Sequence, residues 1–259
     1  MGTTVLVEKR GKVSIIRMNL PDKLNSLGPE LRADLKSALR QFRDDKESRV
    51  AVLTGQGRAF SAGGDLPEME DGISAVYGVE HMTGCNEVIL LIMGIAKPII
   101  AAVNGVAAGA GFSIAMACDL ALASTGASFI QAFTKVGLIP DMGSVYLLPR
   151  VVGMQRAKEL IWTARKVNAD EAMRLGIVSS VVNPEDLEAK AMALAESLAE
   201  GPAFAIGLGK TLLAKSLESN LQDMLQCEGM AQSLCLQSDD NKEGIKAFHE
   251  KRKPIFKGK

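Results

Sequence analysis

Pro98-Ile-Ile-Ala-Ala-Val-Asn-Gly-Val-Ala-Ala-Gly-Ala-Gly-Phe-Ser-Ile-Ala-Met116 decides the fold class. It opens on an apolar run of strand length at Ile99–Val103, passes through a Gly/Ala-rich turn, and enters a helical stretch through Met116. The same alternation extends to both sides: a helical stretch from Tyr77 to Gly94 precedes it and a strand from Leu120 to Ala123 follows. Further upstream, Leu31, Leu35, Ala38, Leu39 and Phe42 recur with helical spacing between Pro29 and Asp45, ahead of a compact strand at Val50–Thr54. Strand and helix in alternation predict an α/β core. The chain starts differently: Val5 and Val7, then Val13, Ile15 and Met18, lie in two β-rich runs around Arg10-Gly11-Lys12, which reads as an antiparallel hairpin. After Pro184 the pattern is helical through Lys259, with apolar faces at Leu187, Ala191, Leu194 and Leu198, then at Leu208, Leu212, Leu221 and Leu225. The expected division is a core over residues 1–199 and a helical region over 200–259, packed on the core or on a neighbouring subunit.

Composition narrows the function classes. A chain of 259 residues buries a substantial core, and its 30 Lys plus Arg against 30 Asp plus Glu give no overall field to attract nucleic acid or an anionic membrane. An anionic ligand must therefore be met by placed groups. Cys85, Cys118, Cys227 and Cys235 have neither Cys-x-x-Cys spacing nor companion histidines, so they read as reduced, mostly buried thiols rather than a zinc site. No apolar run approaches the length of a membrane span, and a cytoplasmic protein is expected.

Two glycine-rich turns follow predicted strands. Arg58-Ala-Phe-Ser-Ala-Gly-Gly-Asp-Leu66 comes after the strand ending at Thr54, and Asn104–Gly111 after the strand ending at Val103. Glycine lets backbone N–H groups approach a ligand, and a helix start leaves its first N–H groups unpaired. Each stretch is also compatible with an ordinary turn. Gly109-Ala-Gly111 is not a dinucleotide fingerprint, since Ile114 stands where the third glycine or alanine belongs, and no Gly-Lys-Ser/Thr follows either turn. Ser113 lacks the second glycine of a nucleophile elbow, and only His81 and His249 are available to serve it.

Asp141 stands in Val136-Gly-Leu-Ile-Pro-Asp-Met-Gly-Ser144, after a proline and before a predicted helix. On residue type alone, capping that helix is the commoner role for it, with proton transfer as the alternative.

Taken together and in order, Phe60–Leu66, Pro98–Gly111, Gly137–Gly143 and Glu243–Pro254 resemble the crotonase (enoyl-CoA hydratase/isomerase) superfamily along essentially the whole chain. The resemblance implies a spiral of ββα units followed by a C-terminal helical trimerisation region, assembled as a homotrimer or, by stacking two trimers, a homohexamer. It implies an acyl-CoA thioester as substrate, with coenzyme A as part of that substrate and no separate cofactor or metal. The backbone N–H groups of Gly64 and Ala110 correspond to the family's oxyanion hole. Contacts to coenzyme A or the acyl group correspond to Lys23, Leu24, Ala62, Asp65 and Leu66, with Phe248 and Lys251 supplied by a neighbouring subunit.

The departures from the family pattern are informative. Family hydratases place two glutamates around the double bond; here those positions hold Ser113 and Phe133. Asp141 occupies the carboxylate position of members resembling the ring-epoxyphenylacetyl-CoA isomerases, and the histidine that the related dehalogenases also use aligns with Asn86. The expectation is therefore an isomerase shifting a double bond, or rearranging a ring, through an enolate, with Asp141 as base and then acid. Phe133 and Leu138 are read as an apolar wall that raises its pKa; a plain core aromatic is the alternative reading of Phe133. A hydratase or lyase of the same family is the first alternative. The basic stripe Arg32, Lys36, Arg40 and Arg43, within helix residues 32–43, offers an RNA-binding reading, though a solvated helix face explains it more simply. His81 and His249 read as surface or packing residues, Trp162 as a packing residue, and Tyr146 as a buried tyrosine within reach of the pocket.

Overall fold

The hairpin forms around Gly11: β1 (Val5–Arg10) and β2 (Val13–Met18) pair antiparallel, with Val5 opposite Met18 and Arg10 opposite Val13. The structure is a computed structural model describing residues 4–69 and 74–258; residue 259, the end of the expected helical tail, lies outside them. After the hairpin, α1 (Pro29–Asp44) opens on a proline, which loses nothing in the first turn because that N–H has no helical partner. Its buried stripe is Leu31, Leu35, Ala38, Leu39 and Phe42, the residues whose spacing predicted it.

The chain then repeats one pattern. A long strand is followed by a three-residue strand: β3 (Val50–Gly55) by β4 (Ala59–Ser61), then α2 (Ala75–Gly94). The next turn is β5 (Ile99–Val103), β6 (Val106–Ala108) and α3 (Ala110–Ala117), and the third is β7 (Leu120–Ser124) with β8 (Ser128–Ile130). There follow α4 (Ser144–Val152), α5 (Met154–Thr163), β9 (Val167–Asn168), α6 (Ala169–Arg174), β10 (Ser180–Val182) and α7 (Leu187–Ala199), then α8 (Ala203–Lys215), α9 (Leu221–Gln237) and α10 (Asp239–His249).

The long strands build one sheet in the order β1-β2-β3-β5-β7-β10, and the short ones build a second, β4-β6-β8-β9. Parallel pairing runs from β2 to β10 in the first sheet and from β4 to β8 in the second. Each turn of the spiral therefore adds one strand to each sheet. The second sheet is absent from the sequence reading, because strands of two or three residues are too short to show a period.

Alternation along the long strands separates two cores. Ala51 and Leu53 of β3 face the main core, with Phe60, Phe112 and Phe129, whereas Val50 and Val52 face a smaller core closed by Leu187, Ala191 and Ala195 of α7. Burial on both faces is why these strands read as continuous apolar runs. Helix α8 is fastened to the core by Lys210, whose ammonium donates to the carbonyls of Ile92 and Lys97 at 2.9 and 3.1 Å and to Asp119 at 2.8 Å.

Two expectations need correction. Helix ends at His249, and the remaining tail is extended: Pro254 cannot continue a helix, and Glu243 and Asp240 accept the N–H groups of Ile255, Lys257 and Gly258 at 2.6–2.9 Å. Trp162 is 69% exposed rather than packed, with the Lys158 ammonium over its ring.

Candidate active site

Both glycine-rich turns leave the second sheet at neighbouring strands. β4 pairs with β6 in parallel, and Gly64 and Ala110 lie three and two residues beyond their respective ends. Neighbouring strands are about 4.8 Å apart, a spacing that lets two backbone donors converge on one oxygen about 2.9 Å from each. The turns are pressed together. A side chain at Gly63, where φ is +96°, would come within 2.6 Å of the Ala108 carbonyl, and one at Gly111 would come within 2.3 Å of the Ser61 carbonyl. Only glycine fits either position.

The first turn is braced from below. Asn25 is fully buried and donates to the carbonyls of Gln56 and Ala59 at 3.1 and 2.8 Å. The Ser61 hydroxyl donates to the Asn25 carbonyl at 2.7 Å and accepts from the Gly63 N–H at 3.2 Å. The Ala62 N–H is taken by the Leu24 carbonyl. Among the described residues no acceptor meets the Gly64 N–H, and Ala110, as the first residue of α3, has an N–H without a partner inside the helix.

Asp141 is brought to the same place by a turn in which Met142 and Gly143 both have positive φ, 45° and 81°. That turn is tied through its backbone. The Ser113 hydroxyl donates to the Asp141 carbonyl at 3.2 Å and lies 2.7 Å from the Ser144 hydroxyl, and the Ser144 N–H donates to the Asp141 carbonyl at 2.9 Å. The carboxylate is left free: its Oδ1 is buried, with no partner among the described residues. The capping expectation fails, since Gly143 is the N-cap of α4 and no side chain caps that end. Burial raises the Asp141 carboxyl from an ordinary 3.8 to about 6, because a buried carboxylate loses hydration that nothing here replaces.

These groups share one cavity of about 220 Å³. Gly64 and Ala110 line it with Asp141, and Ala62, Leu66, Phe133 and Leu138 complete its apolar wall. Phe133 is both things the sequence allowed, buried at 7% exposure and forming the wall. Lys23, Leu24, Asp65, Phe248 and Lys251 do not line it. Leu24 braces the first turn, the Asp65 carboxylate accepts from the Ser26 hydroxyl at 3.2 Å and lies against Gly28, and Phe248 is 82% exposed on α10. Tyr146 stays outside, its ring under the Arg150 guanidinium at 3.5 Å.

The sequence reading missed Arg32, His81, Met82 and Cys85, which also line the cavity. His81, Met82 and Cys85 sit on one side of α2, whose spacing alone does not say what that side faces. Arg32 was read as part of a basic stripe, but each member has an acidic partner: Arg32 with Glu68, Lys36 and Arg40 with Glu87, Arg43 with Asp44. No free basic comb remains for a phosphate backbone.

The family model for enoyl-CoA hydratase/isomerase matches residues 8–259. The chain belongs to the enoyl-CoA hydratase/isomerase family. It is 38% identical over 250 residues to a 1,2-epoxyphenylacetyl-CoA isomerase from Escherichia coli (strain K12), covering 95% of each chain. It is 36% identical over 250 residues to a short-chain-enoyl-CoA hydratase from Clostridium acetobutylicum, covering 96% of this chain and 95% of that one. An enoyl-CoA hydratase from Bacillus anthracis superimposes with a TM-score of 0.94 at 34% identity, over 99% of this chain and 100% of that one. The fold is thus the crotonase spiral, and similarity to this enoyl-CoA hydratase/isomerase family runs through every element that builds the cavity.

Proposed function

We propose that the protein shifts a double bond in an enoyl-CoA thioester, with Asp141 carrying the proton. The observation behind this reading is the Asp141 carboxylate itself, buried, unpartnered at Oδ1 and raised to about 6 in an apolar cavity shared with Gly64 and Ala110. A pKa near working pH suits a group that must accept a proton and then give it back.

The cycle is redox-neutral and balanced. Asp141 takes a proton from the carbon between the thioester carbonyl and the double bond of a 3-enoyl substrate. The electron pair moves onto the thioester oxygen, where the N–H groups of Gly64 and Ala110 hold the developing negative charge, an arrangement in which one donor is typically worth a factor of about 100–1000 in rate. Protonated Asp141 then returns the proton at the far end of the conjugated system, leaving a 2-enoyl thioester and a regenerated carboxylate. No metal or further cofactor enters these steps. Phe133 offers no group to orient water where a hydratase would place a carboxylate, and Ser113 is turned to the backbone of the Asp141 turn rather than to the cavity. The proposal carries with it coenzyme A contacts along Lys23, Leu24, Ala62, Asp65 and Leu66, and a trimer or hexamer in which Phe248 and Lys251 reach a neighbour's site.

Hydration is the second reading, favoured by relatives named as hydratases, and in it Asp141 activates water unaided. Incubation with a 3-enoyl-CoA and, separately, with crotonyl-CoA separates the two. Asp141-dependent conjugation of the first supports isomerisation; faster water addition to the second overturns it.

A further inference from the structure

Apart from Asp141, the described residues give the cavity a polar recess made by His81 with Arg32 and Glu68 beside it. The Arg32 guanidinium grips the Glu68 carboxylate with two hydrogen bonds of 2.9 and 2.8 Å and donates to the Leu27 carbonyl at 2.7 Å. Those bonds hold the Glu68 carboxyl below its usual range, so the pair is a matched ion pair, each side chain 12% exposed. The His81 side chain is only 6% exposed. Its Nδ1 is buried 3.4 Å from Glu68 without hydrogen-bond geometry, and has no partner among the described residues. Nδ1 is thus turned to Glu68 rather than to the cavity, and the ring's other nitrogen, Nε2, which no described residue bonds, is the atom that a bound acyl chain can reach.

Charge decides the kind of group. Among the described residues Arg32 is the one Lys or Arg that lines the cavity, and it is already matched by Glu68; the Asp141 carboxylate faces the same space, so a second anion would be repelled without compensation. We propose that His81, backed by the Arg32–Glu68 pair, determines specificity, selecting an acyl group that carries an uncharged hydroxyl or carbonyl remote from the thioester. This rests on reading the cavity as an acyl-thioester site.

Binding of saturated, unreactive ligands tests it independently of the reaction. Calorimetry with hexanoyl-CoA, its 4-, 5- and 6-hydroxy derivatives and the ω-carboxylate adipoyl-CoA should show at least one hydroxylated ligand bound about tenfold or more tighter than hexanoyl-CoA. In His81→Leu that ratio should fall to about one, and His81→Gln, whose amide reaches the position of Nε2 and keeps donor and acceptor, should restore part of it. A structural role for His81 would weaken all ligands together and leave the ratio unchanged, which overturns the proposal, as does equal binding of hydroxylated and plain chains. Tightest binding of adipoyl-CoA overturns the neutral assignment. Failure of every acyl-CoA to bind overturns the acyl-thioester reading and this proposal with it.

Discussion

Replacing Asp141 with asparagine keeps the shape of the side chain and removes its ability to ionise, which exposes the energetic cost of holding a carboxylate in the cavity. Burial moves this carboxyl from 3.8 to about 6. Between those values the folded chain keeps a proton that the unfolded chain releases, so stability falls as pH rises through the window, and above about 6 the folded state bears the whole penalty. At 1.36 kcal/mol per pH unit the ceiling is about 3 kcal/mol, which partial contact with water reduces to about 1–2 kcal/mol. The amide's own unpaired groups cost the same at every pH, so the informative quantity is the change in the stability gap between wild type and Asp141→Asn. Thermal melts of both proteins at pH 4 and pH 8, at one protein concentration, should show the gap moving toward the variant by roughly 2–8 °C at the higher pH. A gap that is the same at both pH values refutes the claim that an uncompensated buried carboxylate is present. Isomerisation by the wild type should show the matching acid limb, kcat/KM rising as Asp141 loses its proton near pH 6, and the variant should be slower by a factor of about 100–10,000.

Gly63→Ala would drive a methyl group to 2.6 Å from the Ala108 carbonyl at a φ of +96°, separating the two donor turns; steady-state assays should find kcat/KM reduced by about 100-fold or more. Ser113→Ala removes the hydroxyl tying α3 to the Asp141 turn, and urea titration should register a loss of about 1–3 kcal/mol, with kcat falling while KM stays within about twofold. A loss as deep as that of Asp141→Asn would instead make Ser113 a catalytic group. Phe133→Glu supplies the carboxylate that hydration uses, and the ratio of crotonyl-CoA hydration to isomerisation should rise; an unchanged ratio would remove Phe133 from the account of specificity.

Long elements and marked turns were legible because their signals are local. The apolar runs at Ile99–Val103 and Val50–Thr54 became β5 and β3, and the five-residue stripe on α1 is buried as its spacing implied. The residues marking the two glycine turns and Asp141 do meet in one cavity. The second sheet was invisible because β4, β6, β8 and β9 are two or three residues long and owe their existence to pairing with one another. Arg32 and His81 were not recognised as cavity residues for a related reason. Helical periodicity says which residues share a face but not whether that face meets solvent, a neighbouring helix or a cavity. Asp141 shows the opposite limit: its type suggested a cap, and only the geometry around Gly143 excludes one.

The pairing of β4 with β6 brings the two donor turns side by side, and the side chains that brace them, Asn25 and Ser61, lie beneath the turn and do not line the cavity. In the proposed reaction, the charge-stabilising half of the site is therefore a property of chain topology, while the proton-moving half resides in a few replaceable positions on the turns around it. On that reading a carboxylate placed at position 133, or removed from position 141, would change the proton chemistry and leave both N–H groups where they are. A change of reaction would then need no change of anchor, because a chain that has lost one proton-moving side chain keeps the two donors that polarise the substrate.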